Sequence, residues 1–248
     1  MTETVLVFGA SGNMGVSAVI AALRSNRQVI AVVRNEASAE KIYKYAGTRD
    51  GITIAQADPT SEESLQSLVN QVRAGKLPSF QHVWISSGGI YWDTPILELE
   101  AAALREVLKV NFEAYVYVYR ATVPYLLEQG FATSTWTLCT GAQGYWGERV
   151  APAVTQGALF SFAIAAARQT EKTNVRFNEV YLAYRVQVEV EGGDQKWNGY
   201  HITTSESFAP LYEKLLDRTD IKGNRVSAKS PQDVIALSAE KLFQESEA

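Results

Sequence analysis

The sequence predicts an α/β fold, a doubly wound and mostly parallel sheet of about six strands with helices on both faces. Two observations predict it. Short β-branched apolar runs alternate with helical segments along the chain. A glycine-rich turn, Gly9-Ala10-Ser11-Gly12-Asn13-Met14-Gly15, joins the first strand to the first helix. The length, 248 residues, suits one domain spanning 1–248.

The elements follow in order. Thr4–Phe8 is an apolar run that stops at glycine and reads as a buried strand. Val16–Leu23 suits a helix against a sheet. Gln28–Val33 is the second strand, Ser38–Tyr45 a short helix and Thr53–Ala57 the third strand. Thr60-Ser61-Glu62-Glu63 is a capping box that opens a helix to about Ala74. His82–Ser86 is the fourth strand and runs into Gly88-Gly89. Tyr115–Tyr119 alternates with the period of a strand, but it lies inside the breaker-free stretch that begins at Ala101, so Ala101–Glu128 is read as helix. Ser134–Cys139 is the fifth strand, Ala153–Lys172 an alanine-rich helix and Val175–Tyr181 the sixth strand. Ser205–Leu216 is helical, and Ser230-Pro231-Gln232-Asp233 caps a last helix to about Phe243. Val188–Tyr200 is polar and glycine-containing, a surface loop or substrate lid within about 188–204.

Composition excludes several classes. With 46% hydrophobic and 20% charged residues the chain is not disordered. One cysteine makes no internal disulfide, and one cysteine with two histidines cannot build the usual structural zinc site, so no metal is expected. A net charge of −4 argues against nucleic acid and against an anionic membrane surface. No apolar run is read as reaching the roughly 18 residues of a membrane span. The acidic start, Met1-Thr2-Glu3-Thr4, has no signal-peptide pattern, so a cytoplasmic location is expected.

The glycine turn places backbone N–H groups and a helix N-terminus where a pyrophosphate would sit. Gly9, Ser11, Gly12, Asn13, Met14 and Gly15 are therefore candidate cofactor contacts. Arg34 closes the second strand, 19 residues after Gly15. An acidic residue there would accept from ribose hydroxyls, whereas an arginine can pair with a 2′-phosphate, which points to NADP(H). A solvated strand-end arginine is the alternative. Asp58 reads either as a contact to the adenine amino group or as a turn residue before Pro59.

At this point the chain resembles the short-chain dehydrogenase/reductases, from about Val5 to about Leu242. The markers are the glycine turn, Asp58 before a capped helix, Ser86-Ser87-Gly88-Gly89, Asn111 and Arg176-Phe177-Asn178-Glu179-Val180. The resemblance implies a Rossmann-like fold, cofactor contacts at Ser86 and Gly88, and a helix asparagine, Asn111, that holds the core and a proton-relay water. It also implies a catalytic serine after the fifth strand and a Tyr-x-x-x-Lys pair on the next helix. In this sequence the serine position falls at Cys139 or Thr140, the tyrosine at Pro152 and the lysine at Gln156. Proline has no proton to give, and neutral glutamine cannot depress a neighbour's pKa as a cation does. The family's Pro-Gly after the sixth strand is Leu182-Ala183 here. Chains of the family continue past their last helix into a seventh strand. Here the sequence is read as stopping after that helix, which implies a monomer or homodimer.

Aromatic residues gather after three strands: Tyr91 and Trp92, Tyr145 and Trp146, Trp197 and Tyr200. Loops at the carboxyl ends of parallel strands bind ligands, so a bulky or aromatic small-molecule substrate is expected. Asn111, Thr140 and Tyr145 are the catalytic candidates, Tyr145 as replacement acid. Three functions fit: an NADP(H)-dependent reductase with a non-standard proton donor, a non-redox isomerase, cyclase or dehydratase, and a catalytically inactive nucleotide-binding regulator.

Overall fold

The computed structural model of the chain describes residues 2–197 and 199–244; the side chain of Trp197, one of the expected wall aromatics, lies outside that description. The first half contains β1 (Thr4–Phe8), α1 (Asn13–Arg24), β2 (Gln28–Val33), α2 (Glu36–Ala46), β3 (Ile52–Gln56), α3 (Glu62–Arg73) and β4 (His82–Ile85). Next, α4 (Ala101–Leu108) passes through a π-helical turn, Lys109–Glu113, into α5 (Ala114–Gln129). Then come β5 (Thr135–Gly141), α6 (Gln143–Trp146), α7 (Val150–Thr170), β6 (Arg176–Leu182), β7 (Arg185–Gln187), β8 (Gln195–Trp197) and β9 (Tyr200–Thr204). The chain continues through α8 (Ser205–Asp217), β10 (Asn224–Ala228), α9 (Pro231–Ala236) and β11 (Ala239–Lys241).

The main sheet has the order β11-β10-β6-β5-β4-β1-β2-β3. All its neighbours are parallel except β10 and β11. Alternate residues of β1 serve the two faces. Val5 and Val7 pack with α1 and α8, while Leu6 and Phe8 pack with α3, α5 and α7. This is the Rossmann-like, doubly wound architecture that the strand and helix alternation predicts. The period-two stretch in α5 is helical, as expected, with Tyr115, Val118 and Thr122 buried at helical spacing.

Four expectations are corrected. The sheet has seven parallel strands rather than six, because Asn224–Ala228 pairs with β6 in parallel register. Its arginine hid it: Arg225 sits opposite Glu179 and pairs with it, so a charge enters a strand that reads as polar. The reason for expecting a monomer or dimer, a missing seventh strand, falls with it. The last helix stops at Ala236, because Leu237 takes a left-handed conformation (φ 52°) and the chain turns back into antiparallel β11. The 188–204 excursion is not loop throughout, since β8 and β9 form an antiparallel pair and β7 joins β9 in a small second sheet. Finally, α7 is by length and composition apolar enough to cross a membrane, although the sequence reading found no such run. It lies against the sheet and buries Leu159, Phe160, Ala163, Ala166 and Ala167.

One cap also differs in detail. Ser61, not Thr60, caps α3, accepting from the Ser64 N–H. Thr60 instead donates its backbone N–H and hydroxyl to the Asp58 carboxylate, at 2.9 and 2.8 Å.

Candidate active site

The strand order reverses between β1 and β4, and a cleft opens there at the carboxyl ends of the strands. It has a volume of about 380 Å³ and is lined by Gly9, Ser11, Gly12, Arg34, Asp58, Ser86 and Gly88, among others. Seven of the ten expected cofactor contacts thus meet in one cleft. Met14 lines an adjoining recess, which shares Ser86, Ser87 and Gly88 with the cleft.

Backbone geometry explains the glycines. Gly9 adopts φ +76°, and a Cβ there would lie 2.6 Å from the Ser86 carbonyl oxygen. A Cβ on Gly15 would lie 2.0 Å from the Gly9 carbonyl oxygen. The turn is therefore drawn tightly under β4, and α1 starts at the cleft floor. Its N-cap, Gly12, offers no side-chain acceptor, and its first turn has no acidic residue. The first N–H groups of α1 thus lack a side-chain cap, and their partial positive charge favours an anion. This uncapped helix start under a glycine cradle fits the pyrophosphate of a dinucleotide.

At the far end of the cleft, Arg34 makes no side-chain hydrogen bond or ion pair among the described residues; its backbone carbonyl accepts from Gln56. Ser38 lines the same cleft, a contact that the sequence reading missed; the serine at the start of α2 was its only signal. Asp58 spends one carboxylate oxygen on Thr60, the turn role weighed against an adenine contact. Asn13 points another way. Its side-chain oxygen accepts from the Val188 N–H at 3.3 Å, and its carbonyl accepts from the Ser205 hydroxyl at 2.6 Å. One residue of the turn thereby holds both ends of the 188–204 excursion.

The recess, about 130 Å³, is lined by Tyr91, Asn111, Tyr115, Cys139, Thr140, Pro152 and Gln156, among others. Among the described residues no Asp, Glu, Lys, Arg or His lines it. Pro152 and Gln156, the positions to which the sequence resemblance assigns the tyrosine and lysine, both line this recess. The Gln156 side-chain oxygen accepts from the Gly141 N–H at 2.7 Å.

The three catalytic candidates separate. Asn111, on the π-helical turn, has its side-chain oxygen facing the N–H groups of Gly89 and Ile90, at 3.2 and 3.3 Å, and its amide donates to the Ile90 carbonyl at 2.8 Å. It clamps the loop after β4. Thr140 lines the recess, but its hydroxyl donates to the buried Glu179 carboxylate at 2.6 Å. Tyr145 is not among the recess residues. Its ring stacks on Phe160 with centroids 4.6 Å apart, and its hydroxyl accepts from Arg225. The structure therefore brings Asn111 and Thr140 together and leaves Tyr145 outside.

Behind Thr140 lies an ion pair absent from the sequence reading. Arg225 donates to Glu179 at 2.8 Å and lies over the rings of Tyr145, Phe160 and Tyr181. Burial pushes the Glu179 carboxyl up, against the pull of Arg225 and Thr140. A glutamate within an otherwise buried strand was the available signal. Burial also pushes the Cys139 thiol up to about 12, so it is not a thiolate nucleophile. The aromatic residues divide: Tyr91 lines the recess, while Trp146 pairs with Tyr200 at 6.2 Å across α6 and β9.

Comparison with known proteins agrees with this architecture. The family model for short chain dehydrogenases matches residues 3–197. The short-chain dehydrogenase/reductase iacG of Pestalotiopsis fici is 47% identical over 237 residues, covering 96% of this chain and 95% of that protein. The solved structure of ElxO with NADP bound superposes with a TM-score of 0.78 at 16% identity, covering 92% of this chain and 97% of that one. A glucose/ribitol dehydrogenase of Brucella melitensis gives 0.75 at 17%, covering 92% and 96%. At these identities the two structures speak for the fold.

Proposed function

The chain belongs to the short-chain dehydrogenase family and is an oxidoreductase by that membership, and from this premise we propose that it is an NADP(H)-dependent reductase of a small, bulky or aromatic metabolite that works without a Tyr-x-x-x-Lys pair. The observation that supports it most is the Arg34 guanidinium, free of protein partners among the described residues at the edge of the nucleotide cleft. A 2′-phosphate is the group that such a fork pairs with.

In this reading the chain's residues divide the work. The N–H groups of Asn13–Gly15 hold the pyrophosphate, Arg34 with Ser38 the 2′-phosphate, and Asp58 the adenine edge. Gly9 and Ser11 shape the floor, and Ser86, Gly88 and Met14 line the passage to the recess. When bound, the nicotinamide supplies a hydride. Asn111 fixes the loop after β4, and Thr140 holds Glu179 beneath the recess. The 188–204 segment forms a substrate wall joined to the turn through Asn13. A cytoplasmic setting belongs to the same proposal.

A second reading draws on the recess itself. A site lined by no charged side chain among the described residues suits a non-redox step driven by holding a substrate in a reactive conformation. Titration with NADPH and NADH, followed by NADPH oxidation against aryl carbonyl acceptors, separates the two. The reductase reading expects NADPH to bind at least about tenfold more tightly than NADH and its oxidation to be stoichiometric with product. Equal affinities overturn the NADP preference, and turnover without NADPH oxidation favours the second reading.

A further inference from the structure

The recess poses a chemical question. Hydride addition to a carbonyl leaves an alkoxide that must receive a proton, and a positioned donor is worth roughly 10²–10⁴ in rate. Pro152 has no such proton. Thr140 gives its hydroxyl proton to Glu179. Tyr115 gives its proton to the Ser87 carbonyl, and full burial raises its pKa well above the ordinary phenol value. Cys139 is a buried thiol, and serine alcohols are weaker acids than a phenol.

Tyr91 remains. It lines the recess, and its phenol makes no hydrogen bond among the described residues. Its loop is held from behind. Ile90, the residue before it, is bonded to the Asn111 side chain through both backbone groups. The Ser87 carbonyl is held by Tyr115. Two side chains of the long helix thus fix the backbone that carries Tyr91, although the Tyr91 residue is 58% exposed.

We infer that Tyr91 is the proton donor of this site, placed on the loop after β4 and positioned by Asn111. This inference rests on the reductase reading. In the step, the substrate's carbonyl carbon accepts a hydride, with its two electrons, from the reduced nicotinamide. The Tyr91 O–H bond breaks, an O–H bond forms on the substrate oxygen, and water returns a proton to the phenolate. Partial desolvation raises this hydroxyl above the ordinary phenol value, as burial does for Tyr115; what sets Tyr91 apart is that its O–H, protonated at neutral pH, is not committed to a backbone carbonyl. Asn111 is a positioning residue.

The test is Tyr91→Phe, assayed with 1-tetralone and with 9,10-phenanthrenequinone, beside NADPH binding by calorimetry. The quinone accepts hydride with less need of a proton. Tyr91→Phe is expected to lower kcat on the ketone by about 10²-fold or more, to lower quinone reduction much less, and to leave NADPH affinity and the KM for the ketone nearly unchanged. Asn111→Ala is expected to lower ketone kcat in the same direction. Ketone reduction unchanged in Tyr91→Phe, or ketone and quinone reduction falling equally, overturns the assignment while the reductase reading stands. A wild-type protein that binds NADPH but reduces neither probe, or that binds no NADPH, overturns both.

Discussion

Gln156 on α7 accepts a hydrogen bond from the Gly141 N–H at the end of β5, at 2.7 Å. The contact ties the helix to the strand at the recess wall and turns the amide's oxygen inward to the backbone. Gln156→Ala leaves the N–H without this partner, a cost of about 1–3 kcal/mol. For a chain of this size that lowers Tm by about 2–4 °C per kcal/mol. Gln156→Glu keeps an acceptor oxygen in place and is expected to lose less. Thermal unfolding of both variants checks this; equal losses would refute the role of the oxygen.

Arg34→Ala removes the guanidinium from the nucleotide cleft. A charge-assisted hydrogen bond is worth about 1.5–3 kcal/mol, so the Kd for NADPH should rise about 10- to 100-fold. The Kd for NADH should move little, because it has no 2′-phosphate. Isothermal titration with both nucleotides reads the difference; parallel rises would put Arg34 on a group the two nucleotides share, and an unchanged Kd for NADPH would assign it to the strand end alone.

Arg225→Met strands a carboxylate. Glu179 is fully buried, and removal of one partner of such a pair costs about 3–5 kcal/mol. The double variant Arg225→Met with Glu179→Met is expected to recover most of that loss. The pH dependence has a defined sign. Burial raises the Glu179 pKa in the folded state, and loss of Arg225 raises it further. A raised folded value favours stability below the unfolded pKa and loses it as pH rises. The single variant should therefore be penalised more at pH 7 than near pH 4, as urea unfolding would show.

Acid stability is expected to depend on Glu3, at the opposite end of the sheet. Its carboxylate meets His82 at 3.0 Å and Arg27 at 2.6 Å. The His82 hydrogen bond and the Arg27 contact hold its pKa down at about 2, despite partial burial. A depressed carboxylate contributes stability that is complete above its unfolded value, near 4.5, and is lost as pH falls toward 2. Buried His82 is itself depressed, so its share begins to disappear below about 6.5. Glu3→Gln should flatten the unfolding free energy between pH 4.5 and 2 relative to wild type. An unchanged slope would remove Glu3 from the account.

The glycine turn was legible because its geometry lies in the backbone. Glycines at Gly9, Gly12 and Gly15 leave a sequence trace wherever main chain must approach main chain. Arg34 was legible by its place at a strand end. The rest was harder, because side-chain partners decide it. Arg225 made β10 read as a polar loop, and only Glu179 on the neighbouring strand makes it a strand residue. Tyr145 was selected for its chemistry, but Phe160 and Arg225 hold it outside the recess. Leu237 ended a helix through a left-handed turn that leucine rarely adopts, which no local pattern announced.

Asn13 grips both ends of the excursion from Val188 to Ser205. A segment pinned at its base by one residue can change length without disturbing the sheet, since doubling a loop adds only about 0.6 kcal/mol in closure entropy. The architecture therefore separates two kinds of tailoring. The glycine turn stays fixed while the segment it anchors is free to be recut.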